Sequence, residues 1–303
     1  MTKWVRRARL LSTTPVGYRN EARLLPPNPQ WSSDKSAGGR QIQLNKNNLL
    51  LVDGHAVAFH CWYTSDPPSA YGDFEYMVDE AIDRNDADHL IVAFDPPPPT
   101  FRHKLWPSYK EGRPPVPEQF LVDCEQVKQK LDENGTLHVT KKGYEADDVI
   151  GTLVAMAENQ NFTNTVFTVD MDLLQLVSDK TDIEVFSQYR GLRFFDSEKV
   201  LERYNGLEAK LIPNYKALVG DVSDNLPGVP GIGEVTADHL FESRQTLEEI
   251  YSDIGNIAAA EFRGAKRCAG LLTKYHSQAL LMRKLTTIVR DMDIEIDIGQ
   301  SKI

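Results

Sequence analysis

An α/β fold with a mostly parallel sheet flanked by helices, followed by a helical subdomain, is predicted by three features of the 303-residue sequence. First, LLLVDG (Leu49–Gly54), HLIVAFD (His89–Asp95) and TVFTVDMD (Thr165–Asp172) are short continuous apolar runs, rich in Val, Ile, Leu and Phe. Such runs suit strands buried on both faces of a parallel sheet. Second, Phe74–Arg84 and Ala146–Asn159 lie between them with helical length and spacing, which gives the βαβ alternation of an α/β domain. Third, each run delivers an aspartate at its carboxyl end, the edge where sites form in such sheets.

Taken in chain order, residues 1–47 differ from the rest. They are Arg/Ser/Thr-rich, carry no acid before Glu21, and continue through Pro26, Pro27, Pro29 and the Ser/Gly-rich stretch Ser32–Gly39. Two readings stay open here, a disordered basic extension and an organelle transit peptide; an apolar secretory core is missing. Residues 48–206 hold the alternating strands and helices, expected to be the catalytic domain. Within them, residues 96–142 form a long crossover that is proline-rich, aromatic and locally basic, with a helix expected from Glu118 to about Asn134. A crossover of that length with little regular structure is functional or disordered more often than not. Residues 207–303 read as helical. Glu208–Gly220 and Glu234–Phe241 are joined by the turn DNLPGVPGIG (Asp224–Gly233), and more helix follows to about Arg290.

A hydrophobic content of 41% can bury a sizeable core, and no apolar run approaches the ~18 residues of a membrane span. Cys61, Cys124 and Cys268 match no zinc or disulfide spacing, which favours a reducing compartment. The net charge is −10, but residues 1–47 carry nine Lys/Arg against Glu21 and Asp34, net +7, leaving −17 for the remainder. So acidic a body excludes a protein that coats DNA by bulk charge. It does not exclude a nuclease whose acids surround cations, because bound metals reverse the local sign.

The acids in question are Asp53, Asp95, Asp170 and Asp172 at strand ends, Glu145, Asp147 and Asp148 in GYEADD, and Asp221 and Asp224 in GDVSDN. Singly they have plain readings, as helix caps or turn residues. Together they would repel one another unless cations sat among them. Hard divalent ions such as Mg²⁺ take oxygen ligands, and two metals about 4 Å apart on one phosphodiester fit such a pool. With no HxxxH, no CxxC and no histidine expected near these acids, zinc is disfavoured. No nucleophile elbow, Cys–His pair or Walker loop competes.

The crossover supplies positive charge. Arg102, Lys104, Lys110 and Arg113 alternate with Phe101, Trp106 and Tyr109, a pattern suited to single-stranded DNA, the alternative being a loop with its aromatics packed inward. In GVPGIGE, Gly228, Gly231 and Gly233 allow close backbone approach and the next helix offers free N–H groups to a phosphate. An ordinary helix corner is the alternative.

VDG, FD, FRH…YKEGR, GYEADD, TVDMDLLQL and GDVSDNLPGVPGIGEVTA resemble, in this order and spacing over about residues 48–298, one family. It comprises the 5′ nuclease domains of bacterial DNA polymerase I, stand-alone phage and bacterial 5′ exonucleases and, more distantly, flap endonucleases. With no polymerase-like segment in the sequence, the stand-alone form is the nearer resemblance. The resemblance implies a PIN-like sheet, a helical arch made by the crossover, and a C-terminal helix-3-turn-helix. It implies a metal-dependent 5′→3′ exonuclease and 5′ flap endonuclease. Asp53, Asp95, Glu145, Asp147, Asp148, Asp170 and Asp172 would surround the tighter Mg²⁺ and Asp221 and Asp224 would complete a second, with Mn²⁺ able to substitute. Arg102 and Lys110 would act on the scissile phosphate. Lys104, Tyr109, Arg113, Gly228, Gly231, Ile232 and Gly233 would contact DNA, with K⁺ at the helix-3-turn-helix. Implied partners are DNA with a 5′ flap or 5′ end, RNA primer–DNA, and a separate DNA polymerase; a monomer without membrane contact is expected. A bacterial or phage protein would be cytoplasmic, at the nucleoid, and organelle import through residues 1–47 is the alternative.

The sequence departs from the family at Val235, where relatives commonly carry lysine, and at Pro230, where some carry another. With Lys216 and Arg244 the nearby cations, weaker duplex binding is expected. A catalytically silent DNA-binding relative would have lost acids, and none of the nine is missing. A PIN-type ribonuclease would be shorter and lack both the basic crossover and the helix-3-turn-helix.

Overall fold

The three apolar runs stand side by side in the middle of a six-stranded sheet. The computed structural model describes residues 47–303, and the expectations for the basic extension fall outside the described residues apart from Asn47. The runs are β1 (Asn48–Asp53), β2 (His89–Phe94) and β4 (Thr163–Thr168); β3 (Leu137–Thr140), β5 (Thr181–Ser187) and β6 (Gly191–Phe195) complete the order β3-β2-β1-β4-β5-β6. All neighbours are parallel except β5 and β6. Val52 registers with Val92 on one side and Phe167 on the other, so β1, β2 and β4 end level with one another.

Both faces of β1 are dry. Leu49 and Leu51 join the core formed with helix Ala146–Asn159. Leu50 and Val52 point the other way, where helices Gly54–Thr64, Tyr71–Asn85 and Glu118–Asn134 pack. The first of these helices begins on the residue after β1. A Cβ on Gly54 would stand 2.5 Å from Val92 Cγ1 and 2.9 Å from the Ala93 carbonyl, so only glycine lets the helix start so close to β2. The third run ends earlier than expected. β4 stops at Thr168, and Asp170 and Asp172 lie in the turn entering a 3-10 helix, Asp172–Leu176.

The crossover holds one short helix, Phe101–Leu105, before Glu118–Asn134. After the sheet, a short 3-10 turn (Ala209–Leu211) precedes helix Ile212–Val219, and helices Glu234–Phe241 to His276–Thr286 enclose a separate apolar core that includes Leu218, Val229, Ile232, Leu240, Leu272 and Leu285. All of this belongs to one unit, residues 47–303.

One buried ion pair ties these parts together. Arg102 donates to both Asp148 oxygens at 2.5 and 2.8 Å, and to the carbonyls of Leu285 (2.8 Å) and Thr287 (3.1 Å). Asp148 is fully buried and also accepts from the amides of Glu145 (3.1 Å) and Val289 (3.0 Å). Gln175 binds the same strap, through the Thr286 carbonyl and the Ile288 amide. The expected roles of Arg102 on a scissile phosphate and of Asp148 as a metal ligand are therefore corrected. The guanidinium is 3% exposed, uses four of its five N–H groups on Asp148 and two carbonyls, and has Nη1 also 3.6 Å from Glu145, so it is turned inward and away from substrate.

Removing one partner of a buried, hydrogen-bonded pair leaves an uncompensated charge. Arg102→Met is expected to cost about 3–5 kcal/mol in urea unfolding of the metal-free protein. A loss below about 1 kcal/mol would mean that Asp148 does not depend on Arg102.

Candidate metal centre

Asp53 ends β1 and, in the same geometry, caps the helix that follows, accepting from the Ala56 amide at 3.1 Å and from the Thr168 hydroxyl at 2.8 Å. Asp95 follows β2 and accepts from the Ala146 amide at 2.7 Å, which fixes the start of helix Ala146–Asn159 beside it. Asp147 is in the first turn of that helix, and Asp170 accepts from the Asp172 amide at 2.8 Å. Burial, then Asp95, pushes the Asp53 carboxyl up to about 7. Burial, then Asp170 and Asp53, drives Asp147 well above the usual carboxylate range. These acids are close enough to resist shared ionisation, which is the electrostatic signature of a cation site.

Among the described residues, one group brings three metal-binding oxygens within 4.8 Å of one another: Asp172, Asp221 and Asp224. Asp221 and Asp224 come from a loop closed by the left-handed Gly220 (φ 85°), where a Cβ would stand 2.4 Å from the Leu226 carbonyl. An oxygen-only trio suits a hard divalent ion, and a cation already stands there: the Lys216 ammonium contacts Asp172 and, at 2.7 Å, Asp221. Asp172 is pushed up to about 6 by burial and then Asp170, with Lys216 pulling it back.

Glu145 joins this edge to the crossover. It accepts from the Tyr109 hydroxyl at 2.9 Å and pairs with Lys110 at 3.0 Å. The Tyr109 hydroxyl oxygen is equally close to Asp224, at 2.9 Å, so its single proton is shared between the two carboxylates, and Arg113 pairs with Asp224 at 2.6 Å. The crossover is further docked on the 221–225 loop by Lys110 N–H to the Asp224 carbonyl (3.0 Å), Asn225 to the Ser108 carbonyl (2.7 Å) and Trp106 to the Asn225 carbonyl (3.2 Å). Lys110 thus stands at the pool, against Glu145.

Other expectations need correction. Tyr109 is buried in the helical core with its hydroxyl bridging two acids, so it offers no face for a base. Ile232 has its side chain in that core and its amide on the Val229 carbonyl, so neither is offered to DNA. Gly228 is buried and interlocks with Gly220, its absent Cβ 2.4 Å from the Gly220 nitrogen; packing, not DNA approach, explains it. Gly231 and Gly233 are exposed at the turn, and Lys104 is exposed with no partner among the described residues. Of the cations expected near the turn, Lys216 faces the acids and Arg244 pairs with Asp253. Arg267, which the sequence reading missed, is exposed and lies beside Gly231.

Four further residues were missed in the places they take here. His55 Nε2 is 3.9 Å from Asp95, so a histidine does stand at the acids; two residues after Asp53, it was visible in the spacing. Burial pulls its pKa down, with Asp95 opposing. Lys216 lies 44 residues beyond Asp172, and no local pattern announces their contact. Phe59 and Tyr63, ring centroids 4.6 Å apart, are 39% and 59% exposed on the helix that starts at Asp53.

With this geometry, comparison with known proteins is informative. Residues 48–205 match the sequence model of the 5′-3′ exonuclease N-terminal resolvase-like domain, and residues 207–303 that of the 5′-3′ exonuclease C-terminal SAM fold. DNA polymerase I of Chloroflexus aurantiacus is 34% identical over 268 residues, covering 84% of this chain and 28% of that protein. DNA polymerase I of Bacillus subtilis is 33% identical over 264 residues, 84% of this chain and 29% of that protein. The chain therefore spans less than a third of the length of these relatives. Among solved structures, the bacteriophage T5 5′-exonuclease with bound zinc superimposes with a TM-score of 0.64 at 21% identity, covering 79% of this chain and 89% of that one. The T5 flap endonuclease pseudo-enzyme–product complex with DNA and metal ions gives 0.66 at 20% identity, covering 79% and 88%. These likenesses show the fold: a mostly parallel sheet flanked by helices, with a helical C-terminal part.

The raised carboxyls set a pH dependence. Between the ordinary value of 3.8 and about 7, folded Asp53 keeps a proton that the unfolded chain has released. The stability it contributes is full below about pH 4 and is lost as pH rises through about 7. Asp53→Asn removes this loss, so the metal-free variant should gain in Tm relative to the parent as pH goes from 5 to 8. A difference that stays constant or shrinks would contradict the raised pKa.

Proposed function

The chain belongs to the 5′-3′ exonuclease family, and we propose that it hydrolyses phosphodiester bonds in DNA bearing a 5′ flap or 5′ end, with divalent metal ions. The observation that carries this reading is the convergence of acids from three parallel strand ends, one helix start and the 221–224 loop, with Lys110 docked against them. Mg²⁺ is the proposed ion, with Mn²⁺ as substitute. When bound, such ions supply charge neutralisation at the phosphate and a water acidified toward hydroxide.

The chain's own residues do the remaining work. Asp53, Asp95, Asp147 and Asp170 hold one ion, with Glu145 at the edge; Asp172, Asp221 and Asp224 hold the other. The charged form of Lys110 is favoured by Glu145, then Asp224, against the pull of burial. Its left-handed backbone (φ 56°) and the hydrogen bond that its N–H donates to the Asp224 carbonyl position it. It is thus placed to donate to a phosphoryl oxygen as negative charge grows there. Arg113, half-exposed and paired with Asp224, is the second basic group at the pool and takes the place first expected for Arg102. Phe59 and Tyr63 offer rings for stacking an unpaired base, on the helix that Asp53 caps. On the helical side, Gly231, Gly233 and Arg267 form the turn proposed to meet the duplex backbone, with K⁺ proposed at its carbonyls. A separate DNA polymerase and primer RNA are proposed partners, from the polymerase I relatives.

The test separates chemistry from binding. Asp170→Asn should collapse turnover while flap binding stays or tightens, because one charge repelling phosphate is gone. Lys110→Ala should lower single-turnover cleavage at saturating enzyme by ~10²–10³ with little change in affinity. Wild-type turnover in Asp170→Asn, or a Lys110→Ala variant that loses affinity alone, would contradict these roles.

A further inference from the structure

The lysine lodged among the second group of acids is not needed for the fold reading or for the reaction as proposed, and its position is unusual. Lys216 lies in the last turn of helix Ile212–Val219, and its side chain is 15% exposed. Its ammonium touches carboxylates from two separate segments, Asp172 after β4 and Asp221 after Gly220. Those two acids belong to the trio whose oxygens converge within 4.8 Å. The third member, Asp224, has one oxygen on Arg113 and the other on the Tyr109 hydroxyl. Three carboxylates thus share two internal cations and one phenol.

We infer that Lys216 is an internal counter-ion of the second metal position, which keeps Asp172, Asp221 and Asp224 assembled without metal and competes with the incoming divalent ion. This rests on the reading that those three acids are the second ion's ligands. The competition follows from charge and space. An ion bound through the oxygens that now contact the ammonium cannot share them with it, since two cations within ~4 Å repel strongly in a partly buried site. Entry of the ion therefore requires the four-carbon stem of Lys216 to swing away. The exchange replaces one positive charge by two, so the net electrostatic gain is half that of filling a bare carboxylate site. The second ion is held more weakly than the first for this reason, and the displaced ammonium becomes free to meet a phosphate.

Metal binding by the full-length chain without DNA tests this, using Mn²⁺ followed both by calorimetry and by the resonance of free Mn²⁺. Lys216→Met keeps the stem and removes the charge, and it should tighten the weaker class of site by about tenfold or more while leaving the tight class unchanged. Lys216→Gln should do the same, and Lys216→Arg should keep the weak affinity. Metal-free Lys216→Met should melt below the parent, and saturating Mn²⁺ should raise its Tm by more than the parent's. Retention of the tight class shows that each variant is folded. An unchanged or weakened second class in both Lys216→Met and Lys216→Gln, with both classes still filling, overturns the competition. Adding Asp221→Asn to Lys216→Met should abolish the tightened site. If it does not, the site lies elsewhere, and the assignment of the second ion fails rather than the role of the lysine alone.

Discussion

Mutual repulsion among carboxylates at one edge of the sheet is the constraint on which the rest of the molecule depends. Left to solvent, these acids would move apart; here the backbone forbids it. Asp53 is locked by the Ala56 amide and Thr168 hydroxyl, Asp95 by the Ala146 amide, and Asp170 by the Asp172 amide. Burial first, and this repulsion second, raise their pKa values, to about 7 at Asp53 and about 6 at Asp172. The folded chain thus stores an unfavourable field, which the divalent ions proposed for this edge would relieve, linking their binding to folding through the same oxygens.

Holding such a pool needs a frame and internal cations, and the two are supplied by different parts of the chain. The frame is the register of β1, β2 and β4 together with the Arg102–Asp148 pair anchored on the 285–289 strap. The internal cations are Lys110, Arg113 and Lys216, each set on an acid of the site. FRH and YKEGR look alike as basic motifs, but they divide the labour: the arginine of the first is structural and the lysine and arginine of the second face the acids. In Arg102 the guanidinium fork is matched to a carboxylate and two carbonyls, a task lysine cannot do.

The central strands were legible in the sequence because both faces are buried, so apolar residues run without interruption. β3 is only partly buried, β5 interleaves Asp182 and Glu184 with its apolar residues, and β6 is an edge strand; their patterns are short or mixed, and none was read as a strand. The acids were legible because strand ends mark sites in parallel sheets. What could not be read was direction. Whether Tyr109 presents its ring or its hydroxyl depends on the crossover docking 115 residues away on Asp224, and no local periodicity encodes that. Ile232 and Gly228 sit in a motif whose glycines suggested approach to DNA, yet both are explained by packing of the turn on its own helices. Asp148 and Asp147 are adjacent in sequence and opposite in fate, since one helical step turns the first into the buried pair and the second toward the pool.

The account stands or falls on whether this acidic edge works as a metal-dependent site on branched DNA. The direct measurement is incubation of the purified chain with a 5′-labelled flap duplex, in Mg²⁺ and in excess EDTA. Release of the labelled strand near the junction with Mg²⁺, and none with EDTA, is the predicted result. Equal cleavage in EDTA, or a folded, flap-binding protein that leaves the substrate intact in Mg²⁺ and in Mn²⁺, would contradict it.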